Sequence, residues 1–187
     1  CDVSQTGGAM IYANPGGKAQ GTLVASRLIV QNNYCHDPII TVNNGINMGG
    51  YLTVASHNVL EHCNINLSNA AECIVEYNDV RGGSKTISDG GLIYLFALYN
   101  HGNHIRYNYL HEWNAPGCGV YFDDMSMNQY AYYNIIDTTA ATSAKPKSVL
   151  YTSTGHYNVF FGNIIVGRKT DRINESCIFF WGSSLAY

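Results

Sequence analysis

Phe122-Asp123-Asp124 closes an apolar, aromatic run with two adjacent carboxylates. Paired carboxyl groups are the working parts of glycosidic-bond hydrolysis: one, its proton affinity raised by burial or by its neighbour, protonates the leaving oxygen, while the other activates water or attacks the sugar. Two other chemistries fit the same pair. Aspartate favours turns, where it bonds nearby backbone, and hard cations such as Ca²⁺ favour carboxylate oxygens. All three readings stay open at Asp123 and Asp124, so the elements that position them decide what the pair can do.

Those elements are repeats. Ile105-Arg106-Tyr107-Asn108-Tyr109-Leu110 has counterparts at Val30 to Cys35, Leu60 to Ile65, Val75 to Val80, Ala131 to Ile136 and Phe160 to Ile165. Each reads apolar, two variable residues, Asn or Cys, any residue, apolar, so that the fourth position runs Asn33, Cys63, Asn78, Asn108, Asn134, Asn163. Cys1-Asp2-Val3 is the tail of a seventh copy. The intervals are about 26 to 32 residues, with one of about 15 from Cys63 to Asn78, and self-similarity of this period marks a solenoid. Between the copies lie Ile11-Tyr12, Ile93-Tyr94, Val120-Tyr121 and Leu150-Tyr151, each after a Gly- or Ser-containing bend. Short runs of β-branched and aromatic residues separated by Gly, Asn and Ser predict strands, and no period of 3.6 persists long enough for a helix. Strands stacked on the equivalent strand of the next coil form parallel sheets, and an Asn at each corner bonds the coils above and below.

The motif series resembles the right-handed parallel β-helix proteins of the pectin-lyase-like group. More narrowly, Asp89-Gly90-Gly91-Leu92-Ile93-Tyr94, Asn103 to His111, and Gly119-Val120-Tyr121-Phe122-Asp123-Asp124 are similar to a run found in secreted bacterial β-helix proteins classed with carbohydrate-active enzymes. The resemblance implies an all-β solenoid of about six coils with an internal Asn ladder, a secreted or extracellular location, and a polysaccharide or oligosaccharide as partner. It also makes Asp89 a further candidate catalytic carboxylate, beside the bland reading of an Asx-turn before two glycines. Because one scaffold carries lyases, hydrolases, esterases and inert spikes, activity has to be argued from the site.

Threading the repeat brings two rims together. Four residues before the first apolar position stand Ser56, His101, Met127 and His156, so the coil of Asp123 and Asp124 is expected to lie between His101 and His156. Just after the second apolar position come Ser4, His36, Asn66, Arg81, His111, Asp137 and Val166, with Lys85, Glu112 and Trp113 in the following loops. A Trp beside carboxylates suits stacking of a sugar ring. A hydrolase working through Asp123, Asp124 and Asp89 is the leading expectation. A polysaccharide lyase, with Arg81, Lys85 or His111 as base and with or without calcium, is the second. A non-catalytic glycan-binding or structural module is the third.

Composition agrees with a turn-rich β protein: 12% charged residues against about 25% in average domains, with 19 Gly and 15 Tyr. A net charge of −3 offers no footprint for nucleic acid, and there is no apolar run long enough for a membrane span. Both ends read as interrupted repeats, so a single domain, 1–187, is expected to be a segment of a longer helix that packs on the rest of its polypeptide or on neighbouring subunits. The six cysteines read as small buried hydrophobes, since Cys1 and Cys63, with Asn33 between them on the ladder, would lie too far apart for a disulfide. Nothing predicts a zinc site or a phosphate loop at Gly16-Gly17-Lys18. Asn66-Leu67-Ser68 and Asn174-Glu175-Ser176 match glycosylation acceptors, and the basic run from Gly167 to Arg172 reads as a solvated loop.

Overall fold

The computed structural model describes residues 1–15, 26–39, 44–83, 89–96, 100–112, 117–123, 125–140, 148–167 and 177–181. Strands succeed one another through it: β1 (Asp2–Ser4), β2 (Ile11–Ala13), β3 (Ile29–Gln31), β4 (Tyr34–His36), β5 (Asn44–Tyr51), β6 (Val54–Ser56) and β7 (Val59–Glu61). Then come β8 (Asn64–Ala71), β9 (Ile74–Glu76), β10 (Asp79–Arg81), β11 (Gly91–Phe96), β12 (His104–Arg106), β13 (Tyr109–His111) and β14 (Cys118–Phe122). The series ends with β15 (Tyr130–Tyr132), β16 (Ile135–Asp137), β17 (Ser148–Ser153), β18 (Val159–Phe161), β19 (Ile164–Val166) and β20 (Ile178–Trp181). No helix occurs among the described residues.

Every third strand pairs, which makes three parallel sheets. The first runs β1-β4-β7-β10-β13-β16-β19, the second β2-β5-β8-β11-β14-β17-β20 and the third β3-β6-β9-β12-β15-β18. This is the connectivity of a parallel β-helix solenoid, in which each coil contributes one strand to each face. The core follows from the register. Cys35, Leu60, Val80, Leu110 and Ile136 stack inside the first sheet. Ile46, Ile65, Ile93, Val120 and Leu150 do so in the second. Val30, Ala55, Val75, Ile105 and Ala131 complete the third side. With one residue in two pointing inward, all of these are buried.

The corner between the third and first sheets carries the predicted ladder. Asn108 donates through Nδ2 to the Val75 carbonyl and to Asn134 Oδ1, both at 2.9 Å, while its own Oδ1 accepts from the Asn78 backbone N–H at 3.0 Å and from Asn78 Nδ2 at 2.9 Å. The rungs are Asn33, Asn58, Asn78, Asn108, Asn134 and Asn163. Cys63 is therefore not a rung, which corrects the alignment. Leu60 is the last apolar residue of the true copy, Ala55 to Leu60, and it also fits the first apolar slot of Leu60 to Ile65, so the pattern matched out of phase. With Asn58 in place the rung spacings are 25, 20, 30, 26 and 29 residues, and the anomalous interval of about 15 disappears. Cys63 instead lies buried at the corner leading into the second sheet, its Sγ against the Cys35 carbonyl.

Each rung follows a residue held at positive φ: Asn32, His57, Tyr77, Tyr107, Tyr133 or Gly162. Left-handed backbone is unfavourable for a Tyr, and it persists because the ladder fixes the following residue on both sides. The rings so displayed stack along the solenoid, with centroid spacings of 5.1 Å for His57–Tyr77, 5.1 Å for Tyr77–Tyr107 and 5.7 Å for Tyr107–Tyr133. A shorter amide ladder occupies the corner between the second and third sheets: Asn103 Nδ2 donates to Gln129 Oε1 at 3.0 Å, and the Gln129 N–H donates to Asn158 Oδ1 at 3.0 Å.

Candidate functional site

The outer face of the second sheet gathers the chemistry. Its register aligns Tyr12, Asn47, Asn66, Tyr94, Tyr121, Tyr151 and Phe179 in one row, so the four Ile-Tyr-type repeats do mark equivalent positions. The inward residue of each pair fills the core and the next one faces out, as a period of two requires. Tyr94 and Tyr121 lie with ring centroids 5.1 Å apart, and Tyr121 meets Tyr151 edge-on at 4.6 Å. Tyr121 and Tyr151 are buried, Tyr94 half-buried.

Asp123 follows β14, two residues past Tyr121 and therefore on the same face. Its backbone is pinned: its N–H donates to the Leu95 carbonyl at 2.9 Å, and its carbonyl accepts from the Ser126 N–H at 3.1 Å and from Ser126 Oγ at 2.6 Å. Its side chain is buried, and Tyr94 Oη donates to Oδ2 at 2.7 Å. The Tyr121 phenol is pushed far above its ordinary range by burial first, then by its hydrogen bond to Asp123 and by the charges of Asp123 and Asp89. The same two carboxylates add to the burial that raises Tyr151. Asp89 is exposed, two residues before β11, and the next residue is held to β14, the Cys118 N–H donating to the Gly90 carbonyl at 2.9 Å. Gly91 belongs there for space: a Cβ would stand 2.9 Å from the Ile93 carbonyl oxygen and 3.2 Å from that of Cys118. The Asp89 charge acts on both Tyr121 and Tyr151, which ties it to the outer face of the second sheet.

His101 and His156 occupy the corner where the second sheet turns into the third. His101 pairs with Ala71 and Met127, and the Asn128 N–H donates to the His156 carbonyl at 3.1 Å. The coil of Asp123 therefore does lie between theirs. Ser56 does not take part; it belongs to β6 in the third sheet, and Ala71 holds the expected place, a consequence of the same phase error. The groups that engage the Asp123 carboxylate are phenols. In the sequence Tyr94 and Tyr121 stand out only as strand markers; the signal for their role is their register opposite each other with Asp123 two residues on.

The first-sheet rim is Ser4, His36, Glu61, Arg81, His111, Asp137 and Val166, with Glu61 where Asn66 was expected. Its charges are committed to one another. Arg81 bonds Glu61 at 3.2 Å, His111 Nε2 lies 2.9 Å from Asp79, and Nδ1 lies 3.3 Å from Glu112. His36 bridges Asp2 at 2.8 Å and Asp37 at 2.9 Å. Asp137 is lowered, chiefly by the Thr139 hydroxyl and backbone N–H. Asn66 faces out from the second sheet instead, accepting from Asn64 Nδ2 and donating to Asn44 Oδ1. Asp124, Lys85 and Trp113 lie outside the described residues, as do the Gly16-Gly17-Lys18 segment, Arg168 to Arg172 and the Asn174 acceptor.

Among the described residues no group of three or more His, Cys, Asp or Glu side chains is arranged to hold a metal ion, and no helix is long and apolar enough to cross a membrane. None of the six cysteines is in a disulfide, and Cys35, Cys63, Cys73 and Cys118 are buried. Comparison with families of known proteins, with curated proteins and with solved structures finds no match to this chain.

Proposed function

We propose that this chain is part of a secreted carbohydrate-active enzyme, a glycoside hydrolase that cleaves a polysaccharide on the outer face of the second sheet. The observation that carries the reading is a tyrosine-lined face on which the Tyr94 and Tyr121 phenols engage the Asp123 carboxyl and the charge of a second carboxylate, Asp89, reaches Tyr121. Asp124, adjacent in sequence, completes the candidate pair, and His101 and His156 flank the coil from the neighbouring corner. In the reaction the anomeric C–O bond breaks, one carboxyl gives its proton to the departing oxygen, and water supplies the new bond, directly or after attack by the second carboxylate. Phenol rings present apolar faces and hydroxyl tips of the kind that receive sugar rings.

The fold expectation completes the proposal: a right-handed helix of about six coils in the pectin-lyase-like group. Sheets of seven, seven and six strands support the coil number, and the handedness follows the general preference of parallel crossovers. The lyase alternative draws on Arg81, His111 and Lys85; the pairing of Arg81 with Glu61 and of His111 with Asp79 and Glu112 makes those two described residues poor candidates for a free base. The experiment is incubation with a panel of neutral and uronate polysaccharides, following reducing ends together with the absorbance of the unsaturated sugar that a lyase leaves. Reducing ends without that absorbance are expected. Both together would replace the proposal with the lyase, and neither would replace it with a binding or structural module.

A further inference from the structure

Two phenols engage one carboxylate at the heart of the second-sheet face. Tyr94 reaches Asp123 diagonally from the neighbouring strand, Oη to Oδ2 at 2.7 Å. Tyr121 reaches it along the same strand, two residues back, and its phenol is held neutral by burial and by the carboxylates. A phenol that keeps its proton donates, and two donors aimed at one carboxyl from neighbouring strands fix that carboxyl's orientation. We infer that Tyr94 and Tyr121 are positioning residues that hold the Asp123 carboxylate as the attacking or proton-accepting member of the catalytic pair, leaving proton delivery to Asp89 or Asp124; this rests on the hydrolase reading above.

The surroundings support the assignment. Among the described residues, the titratable groups that act in this cluster include Tyr94 from β11, Asp89 before β11, Tyr121 from the strand of Asp123, and Tyr151 from β17, with Cys118 beside Tyr151. Both rings are also braced, Tyr94 against Phe96 and Tyr121, and Tyr121 against Tyr151. Bracing fixes the hydroxyls before substrate arrives, which is the condition under which a hydrogen bond contributes to catalysis without reorganisation.

The test is steady-state kinetics of Tyr94→Phe on whichever panel polysaccharide the wild type cleaves fastest. Losing one donor to a charged group is expected to lower kcat at least about tenfold, with KM unchanged. A purely structural tyrosine would lower thermal stability and leave kcat of the folded enzyme as it is. Tyr121→Phe should give the same fall, and it replaces Tyr94→Phe if that variant does not fold. Independently of turnover, proton NMR should show slowly exchanging phenol hydroxyl resonances that vanish in Tyr94→Phe and in Asp123→Ala. An unchanged kcat, or hydroxyl protons that exchange freely in the wild type, overturns the inference. If Asp123→Asn is inactive while kcat of Tyr94→Phe is unchanged, the hydrolase reading stands and the positioning role falls; full activity in Asp123→Asn overturns both.

Discussion

Replacing Asn108 by Ala should remove four hydrogen bonds at once, and the structure gives the size of the effect. The Asn78 N–H and Asn78 Nδ2 lose their acceptor, the Val75 carbonyl loses the Nδ2 donor, and Asn134 Oδ1 loses one of two donors, keeping the backbone N–H of residue 108. Asn108 is buried, so water does not replace these partners freely. At about 0.5–1.5 kcal/mol net for each bond the loss is about 2–6 kcal/mol, with a central value of about 4. That is a large share of the roughly 5–15 kcal/mol that holds a domain together. For a chain of this length it corresponds to a fall in Tm of about 8–16 °C. Thermal and urea unfolding followed by circular dichroism measure it, with Asn33→Ala as control. Asn33 is only half-buried and stands next to the exposed Cys1, so its replacement should cost less than half as much. A loss below about 1 kcal/mol in Asn108→Ala, or equal losses in the two variants, would refute the view that the buried amide ladder ties the coils together.

Reaction of the native protein with a chromogenic thiol reagent near pH 7 should titrate only the two exposed cysteines, Cys1 and Cys177, and all six after denaturation. Burial pushes the thiols of Cys35 and Cys73 up to about 11 and that of Cys63 higher still, so little thiolate forms there; rapid native labelling of more than two would contradict the packing. At the His36 cluster, hydrogen bonds to Asp37 and then Asp2 raise the imidazole, while Asp37 is lowered chiefly by its bond to His36. The His36 contribution is fully present below the ordinary imidazole value and is lost as pH rises through the raised one; that of Asp37 is present above the ordinary carboxylate value and is lost as pH falls through the lowered one. The urea midpoint difference between wild type and His36→Asn should therefore be largest between about pH 4 and pH 6.5 and fade on the alkaline side. A difference that stays constant to pH 9 would show that the cluster does not titrate with folding.

The solenoid was legible because its determinants are local and repeated. An apolar residue, an Asn two residues before the next apolar residue, and an Ile-Tyr pair each recur where one coil sits on another, and all five predicted asparagine rungs are in place. The error at Cys63 arose where the pattern is degenerate: Leu60 fits both ends of the hexad, and only pairing of Asp79 with Val59 separates the phases. The site was legible in part. Asp123 could be named because it and Asp124 close an apolar run, and Asp89 because of the family resemblance, yet where Asp89 lies relative to Asp123 depends on how far the turn before β11 carries the chain, which spacing does not encode. The phenol partners of Asp123 were harder still. Tyr94 lies 29 residues from Asp123 in sequence, and a hydrogen bond across strands is a product of register.

The account rests on Asp123 being a working carboxylate, and the most direct measurement compares wild type with Asp123→Asn for release of reducing ends from the polysaccharide panel. The variant keeps an acceptor oxygen for the Tyr94 hydroxyl, so its circular dichroism spectrum and Tm should stay close to wild type. Its hydrolysis rate should fall at least 10²-fold, as loss of a nucleophile or general base entails. Undiminished hydrolysis by a folded Asp123→Asn protein would contradict the account.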